Sequence, residues 1–425
     1  MAQLQSEVMR FSKTLFLLFL LAFTSKAFCS DTLTLSLQQA DSTFLIKNFD
    51  LLVAGLNIDA KKAMIIQAKL YPNPIFTTEV NAYDPNAQKA FHIGPSGQKG
   101  YQLSQLILLG GKRKSWIDLA KKETNIAELE FQDLLKNLKY QLRTSLYYLD
   151  QQASLIHKYD NQIGLLSKII EVYEVQSQKG NLPLKDVVRL KGLSLNLRSQ
   201  KAELIRQYTD EMLKVQLLLQ TDQIIKPNIS TAYFSQKIKV LSETNLLQEA
   251  RANRPDFLMT KTYKEWADQA LILEKKMAIP DVNIFSSYDQ RGGAFANQVN
   301  VGLSIALPTW NRNQGNIKMA EIVQSQKSIE IQQKEIQVET EVKGYFSNYN
   351  RAVKDFELAN QLYNDDFDFT AQGMIQSFQK GNIGLIEFVD FFESYNEALG
   401  DYSKIKVQLG IASEQLNFTI GRDVL

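Results

Sequence analysis

The sequence predicts a mainly helical protein with a transmembrane β part. Three observations carry that prediction: an apolar stripe too long for a globular core, four alternating runs of about ten residues, and a duplication that repeats both. From Phe131 through Leu135, Leu138, Leu142, Leu146, Leu149, Ala153, Ile156, Tyr159, Ile163, Leu166 and Ile170 to Tyr173, apolar residues cover 42 residues in 12 steps. The mean spacing of 3.5 is the coiled-coil period. Between Trp116 and Lys179 lie 64 residues with no Pro and one Gly, a rod of roughly 95 Å at the helical rise. A second stripe runs from Val338 through Val342, Tyr345, Tyr349, Ala352, Phe356 and Ala359 to Tyr363. Aromatic residues at such spacing read as packing rather than as a ligand box.

The alternating runs are Ile75 to Tyr83, Gln98 to Leu108, Asp281 to Gln290 and Asn297 to Leu307. About 9–11 residues is the length of a tilted membrane strand. Four strands cannot close a barrel, and open edges cannot face lipid. Closure is therefore expected between protomers, each contributing four strands.

At the N-terminus, Arg10 and Lys13 precede nine apolar residues, Leu15 to Phe23, and then Ser25 to Ser30. A basic start, a short apolar run and a small-residue zone read as an export signal over 1–29, because nine residues are too few to span a bilayer. Cleavage after Cys29 and lipidation of Cys29 both remain open.

The remaining chain reads as one motif written twice, a first repeat over 30–220 and a second over 242–425, with 221–241 as the linker. Gln178-Lys179-Gly180-Asn181-Leu182 matches Gln379-Lys380-Gly381-Asn382-Ile383 at an offset of 201. Gly180 and Gly381 suit the left-handed residue that ends a helix, and Asn181 and Asn382 are expected to cap the returning one.

Composition removes several function classes. Forty-eight Lys+Arg against 46 Asp+Glu give +2, so no basic field points to nucleic acid. One Cys and two His exclude a disulfide framework and a His/Cys metal cluster within one chain, and no cofactor is expected. Gly110-Gly111-Lys112-Arg113 lacks the first Gly and the Ser/Thr of a phosphate loop. His92, in a loop, and His157, on the coiled coil, show no sequence partner for nucleophilic catalysis. An enzyme is not expected.

In the order and duplication of these motifs the sequence resembles the TolC family, the outer-membrane channels of tripartite efflux and secretion systems. It looks closest to the branch partnered with heavy-metal and drug pumps of the resistance-nodulation-division type. The residues that carry the resemblance are Asn253-Arg254-Pro255-Asp256, Leu109-Gly110-Gly111-Lys112-Arg113, Leu307-Pro308-Thr309-Trp310-Asn311-Arg312-Asn313-Gln314-Gly315 and the two Lys-Gly-Asn turns. It implies a homotrimer with a 12-stranded outer-membrane barrel continuous with a helical periplasmic tunnel. The implied function is an exit duct for small molecules or metal ions, energised by an inner-membrane pump through a periplasmic adaptor. Two alternatives stand beside it, an exit duct for type I protein secretion and an exported coiled-coil scaffold without a pore.

The resemblance also implies site residues. Gly180, Asn181, Gly381 and Asn382 fall on the tip turns where the adaptor docks. Glu387 and Asp390 fall on acidic positions that ring the constriction, and Asp186 on a position that helps hold the closed tip. The basic latch position is occupied here by Ile383.

Overall fold

Two long helical hairpins set the length of the molecule, and a sheet joins them at one end. The computed structural model describes residues 32–363 and 365–425 except 293; the export signal over 1–29 and Cys29 lie outside the described residues. In chain order the elements are β1 (Thr32–Leu35), α1 (Leu37–Lys47), α2 (Phe49–Lys69), β2 (Ile75–Val80), β3 (Tyr83–Asp84), β4 (Lys89–Ala90), β5 (Gln98–Ile107), α3 (Lys112–Gln178) and α4 (Leu184–Leu219). Then come β6 (Ile224–Pro227), α5 (Thr231–Gln236), α6 (Glu243–Asn253), α7 (Pro255–Met277), β7 (Val282–Arg291), β8 (Phe295–Ile305), α8 (Gln314–Leu362), α9 (Asp365–Gln379) and α10 (Leu385–Ile420).

Helix α3 runs for 67 residues, about 100 Å, four residues earlier at its start than the Pro- and Gly-poor stretch. Leu138, Leu142, Leu146 and Leu149 are buried, as are Tyr159, Ile163 and Leu166 further along, whereas Ala153 and Ile156 are only half-buried. In the second half the rod is interrupted. Helix α8 stops at Leu362 and Tyr363 leaves helical geometry at φ −100° and ψ 78°. The following sequence, Asn364-Asp365-Asp366, consists of types that favour helix starts over interiors. An apolar stripe reports burial but not this break in the backbone.

The segment 221–241 is a built part of the core rather than a plain linker. β6 pairs in parallel with β1 from the start of the described chain, and Ile225 and Phe234 are fully buried. Gly410 of α10 makes room for Phe234: a Cβ there would stand 3.0 Å from the Phe234 ring and 3.2 Å from that of Tyr147.

The main sheet has the order β2-β5-β7-β8, antiparallel throughout. The first alternating run is shorter than its sequence suggests, since β2 ends at Val80 and Tyr83–Asp84 turns away to pair with Lys89–Ala90. Register places Phe76, Leu103, Ser286 and Val301 in one row and Thr78, Tyr101, Tyr288 and Val299 in the next. The same face carries Ile107, Ile284, Leu303 and Ile305, and Phe76, Tyr101 and Tyr288 stack across three strands with centroids about 6 Å apart. The opposite face carries Thr77, Glu79, Gln102, Ser104, Asn283, Ser287, Asn300 and Ser304. Gly302 lies under Phe285 on that face, where a Cβ would meet the ring at 2.5 Å. Sheet and helix meet at Gly110 and Gly111, both left-handed at φ 68° and 72°. There Lys112 is committed to Asp281 at 2.8 Å, and Arg113 lies over the Tyr71 ring at 4.1 Å.

Near the middle of the rods a collar of buried ions fastens distant parts of the chain. Arg143 of α3 bonds Asp41 of α1 at 2.7 Å and Glu414 of α10 at 2.8 Å. Glu414 also takes Lys237 at 3.2 Å and the Tyr147 hydroxyl at 2.9 Å. Burial would raise the Glu414 pKa, yet the two cations hold it below the ordinary carboxylate value. A second group sits at Arg254, which bonds Asp256 at 2.7 Å and Glu341 of α8 at 2.5 Å.

Candidate functional site

Both hairpin turns are built from the same backbone bonds. In the first, the Gly180 N–H donates to Ser177 O at 3.0 Å and the Asn181 N–H to Gln176 O at 2.9 Å; in the second, Gly381 donates to Phe378 O at 3.0 Å and Asn382 to Ser377 O at 2.9 Å. This pair of bonds is the Schellman motif, which requires a left-handed residue at its centre. Gly180 and Gly381 supply it at φ 77° and 76°, and open space surrounds the place of a Cβ at both. Conformation, not crowding, therefore selects glycine.

The asparagines do not cap the returning helices. The cap positions are Pro183 and Gly384, and neither offers a side-chain bond. Asn181 and Asn382 come two residues earlier, where their backbone N–H groups close the turn, and the Asn181 side chain donates to Gln176 Oε1 at 2.7 Å.

Beneath the turns lies an aromatic core. Phe378 of α9 and Phe388 of α10 stack with centroids 4.1 Å apart and planes within 7°. Phe392 adjoins Phe388 at 5.4 Å, and Tyr173 of α3 adjoins Phe378 at 5.8 Å. Ile383 packs against this cluster, so the position where the resemblance looks for a basic latch is an apolar contact.

Glu387 and Asp390 stand on the exposed side of α10, while Phe388 and Val389 between them are buried. Asp186 is half-buried in the first turn of α4. Burial, helped by the charge of Asp186, raises the pKa of Tyr173. The structure thus brings the two turns to one end of the molecule and leaves both carboxylates of α10 exposed.

The acidic row does not stop there. Glu393, Glu397 and Asp401 continue it along α10 at steps of three and four and line a groove of about 800 Å³ between α10, α3 and α4, with Glu203 on the opposite wall. A helical 3-4-4 spacing after Asp390 was the available sign. Among the described residues no group of His, Cys, Asp and Glu is disposed to hold a metal ion.

His92, read from sequence as partnerless, has partners on both ring nitrogens. Nδ1 meets Asp84 Oδ2 at 2.8 Å and Nε2 meets Ser96 Oγ at 3.1 Å. Both lie within a few residues in the β2–β5 loop, but only the fold of that loop brings them to one ring.

A two-faced antiparallel sheet mounted on helices of up to about 100 Å defines the class of the fold, a mainly helical chain whose one sheet stands at the end of long hairpins. The model of the outer membrane efflux protein family matches residues 246–422 of this chain. The chain is similar to the cobalt-zinc-cadmium resistance protein CzcC of Cupriavidus metallidurans, at 22% identity over 291 residues. That match spans 67% of this chain and 66% of CzcC, just under two thirds of the relative. Its fold is TolC-like: it superimposes on CusC with a TM-score of 0.72 at 17% identity, covering 91% of this chain and 92% of that one. On the Campylobacter jejuni CmeC outer membrane channel the TM-score is 0.72 at 13% identity, covering 91% and 85%.

Proposed function

We propose that this protein is the outer-membrane exit duct of a tripartite efflux system, and that three copies form it. The observation that carries the reading is the sheet. One face is apolar and the other polar, the pattern of a barrel wall between lipid and water. β2 and β8 each keep an unpaired edge among the described residues. Successive strands alternate in direction, so β8 of one copy runs antiparallel to β2 of the next. Three copies would give twelve strands without an edge.

The helices support the same assembly. Phe49, Leu52, Val53 and Leu56 of α2 are exposed, as are Ile322, Ile329 and Ile336, seven residues apart on α8. Seven-residue spacing is that of a helix-packing seam. The two repeats, 30–220 and 242–425 about the segment 221–241, would each supply half of every protomer's wall.

In this reading the turns at Gly180–Asn181 and Gly381–Asn382 meet a periplasmic adaptor, which couples the duct to an inner-membrane pump. Glu387 and Asp390 become stacked acidic rings at the constriction, with Asp186 beside them. Metal ions are a fitting cargo, since CzcC is named for cobalt, zinc and cadmium resistance.

The test is conductance of the purified protein in planar bilayers. Cation-preferring channels blocked by a trivalent cation are expected, with the block relieved in Glu387→Gln/Asp390→Asn. Absence of any conductance from correctly folded protein would overturn the duct. Block unchanged in the double variant would remove the two acids from the constriction.

A further inference from the structure

The loop between β2 and β5 holds a constellation that a duct does not need. Both oxygens of Asp84 are engaged: Oδ1 accepts the backbone N–H groups of Asn86 at 2.9 Å and Ala87 at 3.1 Å, and Oδ2 faces His92 Nδ1 at 2.8 Å. The bond from His92, then that from Ala87, lowers the Asp84 pKa, so the group is a carboxylate and only accepts. Nδ1 must therefore carry the imidazole proton. In the neutral ring this leaves Nε2 as an acceptor, and its neighbour at 3.1 Å is the Ser96 hydroxyl.

The backbone holds these parts in place. The His92 carbonyl accepts the Gln98 N–H at 2.9 Å, and Gly97 donates to Gly94 O at 2.8 Å. The Gln290 side chain from β7 donates to Gly94 O at 2.8 Å, and Gly292 N–H to Gly97 O at 2.9 Å. Gly292 presses so closely that a Cβ there would overlap Ser96 O at 1.5 Å, so the rear of the site is closed by main chain. Gln88 and Phe91 adopt φ 50°, a left-handed conformation that non-glycine residues seldom take. The side chains of His92 and Asp84 are 12% and 19% exposed, enough shielding to orient them, while Ser96 faces solvent.

We infer that Ser96 is a nucleophile, activated by His92 and oriented through Asp84, that accepts acyl or phosphonyl groups from small activated esters and halides at the outer mouth. A carboxylate–imidazole–hydroxyl chain with these distances is the arrangement that makes a serine reactive. Ser96 Oγ forms a bond to the acyl carbon or phosphorus as its proton passes to His92 Nε2. The bond to the leaving group breaks and its electron pair departs with it. The imidazolium, balanced by the Asp84 carboxylate, then returns its proton to the leaving anion or to water. Ser96 is exposed, so the donor is selected by reactivity. Asp84 is a positioning residue, since it touches only the imidazole and the loop backbone.

The experiment is labelling of the purified full-length protein with a fluorophosphonate, the modified residue being mapped by peptide mass. Ser96 is expected to label at least about 10²-fold faster than in His92→Gln, the range a general base supplies. Ser96→Ala should leave that peptide unlabelled. Asp84→Asn preserves the shape but no longer fixes the proton on Nδ1; labelling should fall while protease sensitivity of the loop stays unchanged. If Ser96 labels no faster than Ser325, an exposed serine bonded only to a helix carbonyl, the inference fails. It fails equally if labelling is indifferent to His92→Gln, which would mark the chain as a strap that merely ties the loop down.

Discussion

The collar and the tip are both places where helices of the two halves meet, yet they are fastened in opposite ways. At the collar Arg143, Glu414 and Lys237 are buried in one network reaching α1, α3, α10 and the stretch after α5. At the tip Phe378, Phe388 and Phe392 stack, and Glu387 and Asp390 remain outside. Parting the collar would strand charge in an apolar setting, which costs several kcal/mol per ion. Parting the tip would expose stacked rings, and the acids there are exposed already. The difference teaches how each place resists separation: the collar through buried ion pairs, the tip through apolar packing.

The contrast is broken most sharply at Glu414. Glu414→Ala leaves Arg143 and Lys237 facing each other across the gap and should cost about 3–5 kcal/mol, read as global loss of thermal stability. Low pH should act in the same direction. The folded pKa of Glu414 lies below its unfolded value, so its contribution is complete above the unfolded pKa and is lost as pH falls through the folded one. Asp423, also lowered, adds to the same acid-side loss.

Phe388→Ala is expected to cost about 3 kcal/mol, but locally. Hydrogen exchange should quicken around 373–392 and leave the helices at the collar protected, whereas Glu414→Ala should quicken both. A smaller effect of opposite sign is expected at Lys136. Burial there, only partly offset by the charge of Asp256, lowers its pKa to about 8. The unfolded chain therefore binds the extra proton between about pH 8 and the ordinary lysine value, and stability should rise with pH across that window. Lys136→Met should stabilise by about 1–2 kcal/mol at neutral pH and flatten the rise. Least of all, Glu387→Gln/Asp390→Asn should move stability by under about 0.5 kcal/mol, because both acids are exposed. A larger loss would show them to be structural.

What the sequence disclosed follows the range over which its signals act. Local periodicity placed α3 and the strands, because a 3.5-residue stripe and a two-residue alternation are each written within one element. Gly180 and Gly381 were legible for the same reason, since a left-handed turn is a property of five consecutive residues. The interruption after Leu362 was not, because the apolar stripe runs on to Tyr363 while the backbone does not. The collar was invisible: Asp41, Arg143, Lys237 and Glu414 are brought together only by the packing of α1, α3 and α10. Ile225 and Phe234 were hidden in a stretch whose Pro227-Asn228 reads as a turn, though tertiary packing makes it core. Glu387 and Asp390 follow from the resemblance, whereas Glu393, Glu397 and Asp401 stand out only where two other helices close a groove against them.

The unpaired outer edges of β2 and β8 carry a genetic consequence. In the proposed duct those edges would face lipid on a lone chain, where each unsatisfied backbone group costs several kcal/mol, so neighbours would share one fate. A chain too damaged to fold simply drops out, and an intact second gene copy would cover the loss. A chain that folds but whose β8 edge cannot pair still offers β2 to a healthy neighbour, and so draws intact subunits into assemblies that never close. Lesions confined to that edge should therefore behave as dominant, and lesions in the helical core as recessive.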